Sequence, residues 1–517
     1  MILSADICLQ RFLFSAGRCC FGRVVLKMKG EDMHFLQQKM NDLLTTEQFT
    51  YKELRSMYLT LLLDQFFIMI IGMVSTALVS SVGEAAIAAV SMVGTVNGMV
   101  SLVFTSMATG GAIVVARAKG RNDYSEIRKA IGEVTGICGV VAVVLSLVLI
   151  AASEWIVRAL YPNVEPILVE YAVTYMRMMA VSFIPFSVFN AIFNILRSLG
   201  SIRQSLILTV VINLIHMLLS LLFINGMHMG VEGSGLSYIL ARAIGMVAAL
   251  LMVLRFNNDY GLHFRDFIRF SPSTTREIFS LGMPLAVESV LLQGGMLLVQ
   301  IYLARLTTTE LAAHAVANSI LGVLVVPCTS VVTLSGTVCG QCYGAGKWKL
   351  TRRYSINMIR IGRVITLISV LIFYPLLPLL LQFYHASPEG TPIIMTVLRI
   401  AMVCLPILWC DSSLPAMTLR VAGDSIYTGI VSVAALALAR CVLGYLLTIT
   451  FHMGVPGVWV AMCVEWLGRA VALRMRMRGT TWLHVGKQKK EALHGKLGNE
   501  TERNLTRVKK KWLSLYP

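Results

Sequence analysis

Four carboxylates stand inside long apolar runs of this chain: Asp64, Glu288, Asp411 and Glu465. An ionised side chain in the middle of a membrane span costs about 2.5–3.5 kcal/mol on insertion scales, so each needs a counter-charge, a wet cavity or a purpose. The chemistry open to such groups is reversible binding of a proton, a sodium ion or an organic cation. Cationic or titratable groups stand in comparable places: Arg177, Arg242, Arg399, Arg440 and His216. Spacing sorts them, because Asp64 and Glu288 lie 224 residues apart and so do His216 and Arg440.

Asp411 follows Pro406 by five residues, as Asn190 follows Pro185. A proline within a helix breaks the hydrogen-bond ladder and can open local backbone to a cavity. Asp411 is therefore the leading candidate for holding a coupling cation or a cationic substrate, and Asn190 is its amide counterpart. Asp64, Glu288, Gln293 and Gln300 complete the candidate binding set, with Arg440 and His216 as charge partners. Asp64 and Glu288 are expected to face a central cavity, since a carboxylate facing lipid would have to stay protonated. Glu465 sits four residues before Arg469, a spacing that allows an intrahelical pair. Asn213 and the 28 Met residues could line a tolerant cavity, although most Met should face lipid or neighbouring helices.

The elements that position these groups follow from the same spacing. Shifted by 224 residues the chain lands on itself: Gly120 falls on Gly344, Arg128 and Lys129 on Arg352 and Arg353, and Met229 to Gly233 on Met453 to Gly457. With 517 residues, 56% hydrophobic and 14% charged, and a mean hydropathy of +0.73, the chain is too apolar for a soluble protein. Apolar runs predict six spans near 55–82, 85–117, 127–152, 166–196, 203–224 and 230–254. Six more follow near 279–305, 311–342, 354–381, 390–419, 426–450 and 455–473. The runs are continuous, without the alternation of lipid-facing strands, so the fold class is all-α. Duplicated membrane bundles are the usual construction of secondary transporters.

The expected organisation is an N-terminal cytoplasmic segment over 1–53, six-helix lobes over 54–256 and 277–474, an amphipathic cytoplasmic linker over 257–276, and a basic cytoplasmic tail over 475–517. Lys and Arg cluster after the second, fourth, sixth and eighth spans, as at Lys119, Arg121, Arg197, Arg203, Arg255, Arg265, Lys347 and Lys349. Arg158 and Arg305 are isolated exceptions. The positive-inside rule thus places both termini in the cytoplasm. Of the net charge of +18, half comes from the twelve basic and three acidic residues after Leu473, which points to anionic lipid headgroups rather than nucleic acid. Residues 1–27 carry Arg11, Arg18 and Arg23 and lack a clear cleavage site, and a later start at Met28 or Met33 is an expectation for the native N-terminus.

Other motifs carry little. Cys339 and Cys342 have CxxC spacing but no second pair, and the 11 Cys form no disulfide framework. Gly344 to Lys347 lacks the Ser/Thr and the preceding strand of a phosphate loop. No metal motif, paired nucleophile and base, or soluble catalytic domain supports an enzyme, and no cofactor is expected beyond a coupling ion.

Residues 82–90 (VGEAAIAAV) and 309–317 (TELAAHAVA), Gly340 to Lys347, Leu196-Arg197-Ser198-Leu199-Gly200 and Leu419 to Asp424 recur in order in both halves. Together with the twelve spans they resemble the multidrug and toxic compound extrusion (MATE) family over roughly residues 54–474. The resemblance implies a V-shaped fold of two six-helix lobes and efflux of organic cations or drugs against a proton or sodium gradient. It further implies a bacterial inner-membrane location; the chain is expected to act as a monomer. Asp411 matches the acidic position at the corresponding point of the family pattern. Where many members carry an Asp in a Val-Asp-Thr context, this chain reads Val74-Ser75-Thr76. Asp64, eleven residues earlier, would lie about 16 Å deeper and about 20° round the helix. A flippase for a lipid-linked precursor is the alternative, one that would line its cavity with cations such as Arg177, Arg242 and Arg399.

Overall fold

The computed structural model describes residues 44–79, 84–160, 166–227, 229–256, 260–384 and 387–485. Residues 1–43, the tail beyond 485 and the side chains of Val74, Ser75 and Thr76 lie outside that description. In a bilayer every backbone polar group must be satisfied within its own segment, so the apolar runs wind into helices. The first six are α1 (Tyr51–Val79), α2 (Glu84–Arg121), α3 (Tyr124–Leu160), α4 (Pro166–Ser198), α5 (Ile202–Ile224) and α6 (Gly230–Phe256). The second six are α7 (Pro272–Leu303), α8 (Thr308–Gly344), α9 (Trp348–Phe383), α10 (Gly390–Val421), α11 (Ser425–Thr450) and α12 (Val455–Arg478). Among the described residues, eleven helices are long and apolar enough to cross a membrane, and α1 adds a further 29-residue helix.

Several helices outrun the apolar segments, α3 and α8 reaching 37 residues each. Their polar first turns hold them: Thr307 accepts from the Glu310 amide while Glu310 reaches back to Thr307, a capping box that starts α8. Pro406 opens α10 as expected, but through a π-helical turn at Leu405–Trp409 rather than a gap. A second π-helical turn, Leu436–Leu443, carries Arg440. π-turns inside α-helices concentrate at functional sites.

Among the described residues the two lobes meet at one end only. One large core cluster takes residues from both halves, among them Met107, Ile113 and Ile195 from the first and Leu281, Leu334 and Val338 from the second. The other clusters stay within a lobe: Val299, Leu324, Trp459 and neighbours in the second, Phe104, Val157 and Met176 with theirs in the first. Added methyl groups at Gly94, Gly98 and Gly322, towards the other end of α2 and α8, would meet nothing within 4 Å. The result is a V closed at the end that carries Arg121, Gly200, Gly344 and Gly423 and open at the other. The linker begins this closed end, where Arg128 holds Asp266 through two hydrogen bonds of 2.6 and 3.1 Å. Its apolar side chains Phe264, Ile268 and Phe270 remain exposed while Phe267 is buried.

Candidate functional site

Each of the four intramembrane carboxylates is met by arginine. Asp64 on α1 is 0% exposed and ion-paired with Arg197 at the end of α4. Glu288 on α7 is buried and paired with Arg420, 2.7 Å away at the end of α10. The two pairs are repeat copies, since Arg197 and Arg420 open the equivalent stretches Leu196 to Gly200 and Leu419 to Gly423 with an offset one residue different from that of the carboxylates. Burying a charge is tolerated only with a partner in good geometry, and here the same solution appears twice. Neither carboxylate is open to the cleft in this conformation, contrary to the expectation that each faces a central cavity. Arg197 is likewise no loop charge: it is buried, with its guanidinium 3.9 Å from the centre of the Phe193 ring.

Asp411 sits in a clamp. Arg363 of α9 donates Nε to Oδ1 at 3.0 Å and Nη2 to Oδ2 at 2.5 Å, and Arg474 of α12 donates to Oδ1 at 2.9 Å. A bidentate arginine is the strongest hydrogen-bonded partner a carboxylate finds. Releasing Asp411 to a proton or a cation therefore means moving two guanidinium groups. Neither arginine was among the sequence candidates: Arg474 reads as the start of the basic tail, and Arg363 has no repeat copy, its equivalent being Gly139. Asn190, the amide counterpart, donates to the Thr105 hydroxyl at 2.9 Å and accepts from Asn194 at 2.8 Å. The lobe with an amide thus has a glycine where the other has the arginine, and the missing charge on one side matches the missing charge on the other.

Glu465 pairs with Arg440 at 2.6 Å and, within its own helix, with Arg469 at 3.6 Å. Arg440 also donates to the Met296 sulfur at 3.1 Å. Among the described residues His216 meets no carboxylate, in contrast to its expected place as a charge partner. Its ring lies 4.2 Å from that of Tyr238 and its Nε2 is 3.4 Å from the Ser220 hydroxyl. Arg242 donates to Ser182 at 2.6 Å and rests against Phe183, Phe186 and Tyr238. Gln293 is half-buried and Gln300 exposed on α7, seven residues apart and so on one face. Cys339 and Cys342 are buried free thiols. Among the described residues no group of three or more His, Cys, Asp or Glu is placed to hold a metal ion.

A cleft of about 440 Å³ opens at the closed end of the V, with a mixed lining: Glu53, Ser56, Thr60, Gln204 and Gln341 beside apolar Met57 and Leu199. Thr60 stands one turn before Asp64 on the same face of α1.

The MatE family profile matches residues 61–222 and 284–446, one copy on each lobe. A probable multidrug resistance protein NorM of Thermotoga maritima is 22% identical over 428 residues, 81% of this chain and 90% of that protein. An uncharacterized transporter YisQ of Bacillus subtilis is 20% identical over 432 residues, covering 81% and 92%. Among solved structures, the Vibrio cholerae MATE transporter VcmN superposes with a TM-score of 0.75 at 16% identity, over 83% of this chain and 96% of that one. A MOP superfamily transporter from Pyrococcus furiosus, described as having a binding pocket of reversed polarity, gives 0.73 at 17% identity over 86% and 96%. Twelve long helices among the described residues, in two matched lobes, a V closed at one end and a profile that covers more than half of the residues agree: the chain belongs to the MatE family of membrane transporters.

Proposed function

We propose that this protein is a secondary antiporter that exports small amphipathic organic cations, drugs among them, in exchange for protons or sodium ions. The observation that carries the proposal is the set of buried carboxylates, Asp64, Glu288 and Asp411, each neutralised by arginine near the junction of two lobes that part at one end. A carboxylate whose only counter-charge is a side chain can exchange it for a proton, a metal ion or an organic cation, and the freed arginine then changes the packing of its helix. On the orientation set by the basic loops, the closed end faces the cytoplasm and the open cleft faces outward. The multidrug-resistance name of the Thermotoga maritima relative supports efflux as the direction.

A flippase would need a cavity lined by cations. Of the three arginines that would serve it, Arg242 is packed on aromatic faces, Arg177 donates to the Ser153 hydroxyl at 3.1 Å and Arg399 keeps a buried Nε without a partner among the described residues. The six arginines at the carboxylates, Arg197, Arg363, Arg420, Arg440, Arg469 and Arg474, are neutralised there, so the charge balance favours a cation over an anionic headgroup.

Asp411 and its clamp are the proposed exchange site, with Asn190 holding the equivalent polar position in the first lobe. Proteoliposomes loaded with a fluorescent cation such as ethidium, under an imposed pH or sodium gradient, test this. Wild type should show gradient-dependent flux and Asp411→Asn should lose it at normal expression. Unchanged flux in the variant would remove Asp411 from the mechanism.

A further inference from the structure

The closed end of the V is fastened by two side chains that are copies of each other. Arg117 on α2 and Gln341 on α8 lie 224 residues apart, and each crosses to the opposite lobe. Arg117 donates Nε and Nη2 to the carbonyl of Val421, at 3.0 and 2.5 Å. Gln341 donates Nε2 to the carbonyl of Ser198 at 2.9 Å. Val421 and Ser198 are equivalent residues, each following the paired arginine of its lobe by one.

The carbonyls they hold are free for a local reason. A helix leaves its last four carbonyl groups without intrahelical partners. Both α4 and α10 end on a glycine in the left-handed region, Gly200 at φ 85° and Gly423 at φ 95°. The chain then folds back, with the Ser201 amide on Leu196 O and the Asp424 amide on Leu419 O, both at 2.9 Å. This satisfies the carbonyls at the start of the turn. Those of Ser198 and Val421 are left pointing at the other lobe, where the negative end of the helix dipole favours a donor. Thr337 adds a bond from its hydroxyl to Arg197 O at 3.1 Å.

We propose that Arg117 and Gln341 are the paired latches of the closed state, each bond breaking and re-forming once per transport cycle. The proposal rests on the reading of this protein as an alternating-access transporter. Hydrogen bonds suit the task because the bond is directional while its net worth is small, so it fixes one state without trapping it. The latches are tied to the buried carboxylates. Arg197, whose carbonyl is gripped by Thr337, has its side chain on Asp64; Arg420, next to gripped Val421, has its side chain on Glu288. The ion pairs are thus positioned to set where each gripped helix end sits. The two latches differ in strength: Arg117 also pairs with Glu277 at 2.9 Å, whereas the equivalent Glu53 accepts from the Thr50 amide and shares only a cleft lining with neutral Gln341.

Hydrogen exchange of the full chain in nanodiscs, read by mass spectrometry over residues 197–203 and 419–425, tests the latches, with ethidium flux measured on the same preparations. Gln341→Ala should speed exchange about fivefold at 197–203, in the lobe it does not belong to. Arg117→Ala should speed it more, at 419–425, because two donors are lost there. Asp64→Asn should loosen 197–203 and Glu288→Gln should loosen 419–425. Gln341→Arg, which keeps a donor at this position and adds a charge near Glu53, should protect 197–203 at least as well as wild type. Thr337→Val, which keeps the side-chain shape, serves if Gln341→Ala does not fold. Faster exchange confined to the substituted residue's own lobe, or none, overturns the latches even if gradient-driven flux is intact. The crossed pattern without flux in wild type supports the latches as a conformational lock and overturns antiport instead.

Discussion

Removing one member of a buried ion pair strands the other, and the cost scales with how dry the site is. Asp64 is fully buried, so Arg197→Met should destabilise the fold by about 3–5 kcal/mol. Adding Asp64→Leu should return most of that, since an apolar pair of similar volume is often neutral. Thermal unfolding in detergent measures both, and additive losses would refute the pairing. Arg420 is more exposed than Arg197, 22% against 9% of its side chain, so Arg420→Met should cost less than its repeat copy. Arg363 and Arg474 share Asp411 and are more exposed, at 36% and 44% of their side chains, so loss of either alone should cost least of all. Asp64, Glu288 and Asp411 were legible as residues because charge in an apolar run is conspicuous. Their partners were not, because Arg197, Arg420 and Arg474 stand at helix ends, where basic residues ordinarily face headgroups.

At the scale of elements, the linker between the lobes is held by a contact that titrates. Burial opposes ionisation of Asp266, but the Arg128 side chain and the His263 amide outweigh it and hold the carboxyl below its ordinary value. A depressed folded-state value contributes docking stability that is present above the ordinary carboxylate range and lost as pH falls through the depressed value. Limited proteolysis should therefore cleave the 260–270 linker faster at pH 3 than at pH 7, roughly the carboxylate range and its far side. Arg128→Gln should cleave quickly at both. A linker whose cleavage ignored pH in wild type would show the pair to be immaterial. Helix existence was readable from run length, whereas the π-helical turns at Leu405–Trp409 and Leu436–Leu443 were not. Their register depends on what α7, α9 and α12 pack against them. Pro406 signalled a local opening, but not that the opening would take the form of a wider turn.

For the whole molecule, closure depends on how near α2 and α8 approach. Gly120 packs on the backbone of Gln341 and Ala345, and its repeat copy Gly344 on the backbone of Arg117. A methyl at either would collide with main chain, which cannot swing aside as a side chain can. Overpacking costs about 1–3 kcal/mol, enough to shift a closed-to-open ratio about fivefold to a hundredfold. Gly344→Ala should therefore raise exchange at both 197–203 and 419–425 and lower gradient-driven flux, while the unfolding temperature of each lobe changes little. Flux and exchange both at wild-type levels would show that this approach does not limit the cycle. The sequence by itself determined the membrane class, the duplicated six-helix plan and the carboxylates worth testing, because bilayer solvation writes length and polarity into every span and duplication preserves its spacing. Only the tertiary structure decided which arginine neutralises which carboxylate, that His216 meets an aromatic ring, and that Arg117 and Gln341 cross between lobes. Those partners sit on different helices, from tens to hundreds of residues apart in the chain, and no local pattern encodes their meeting.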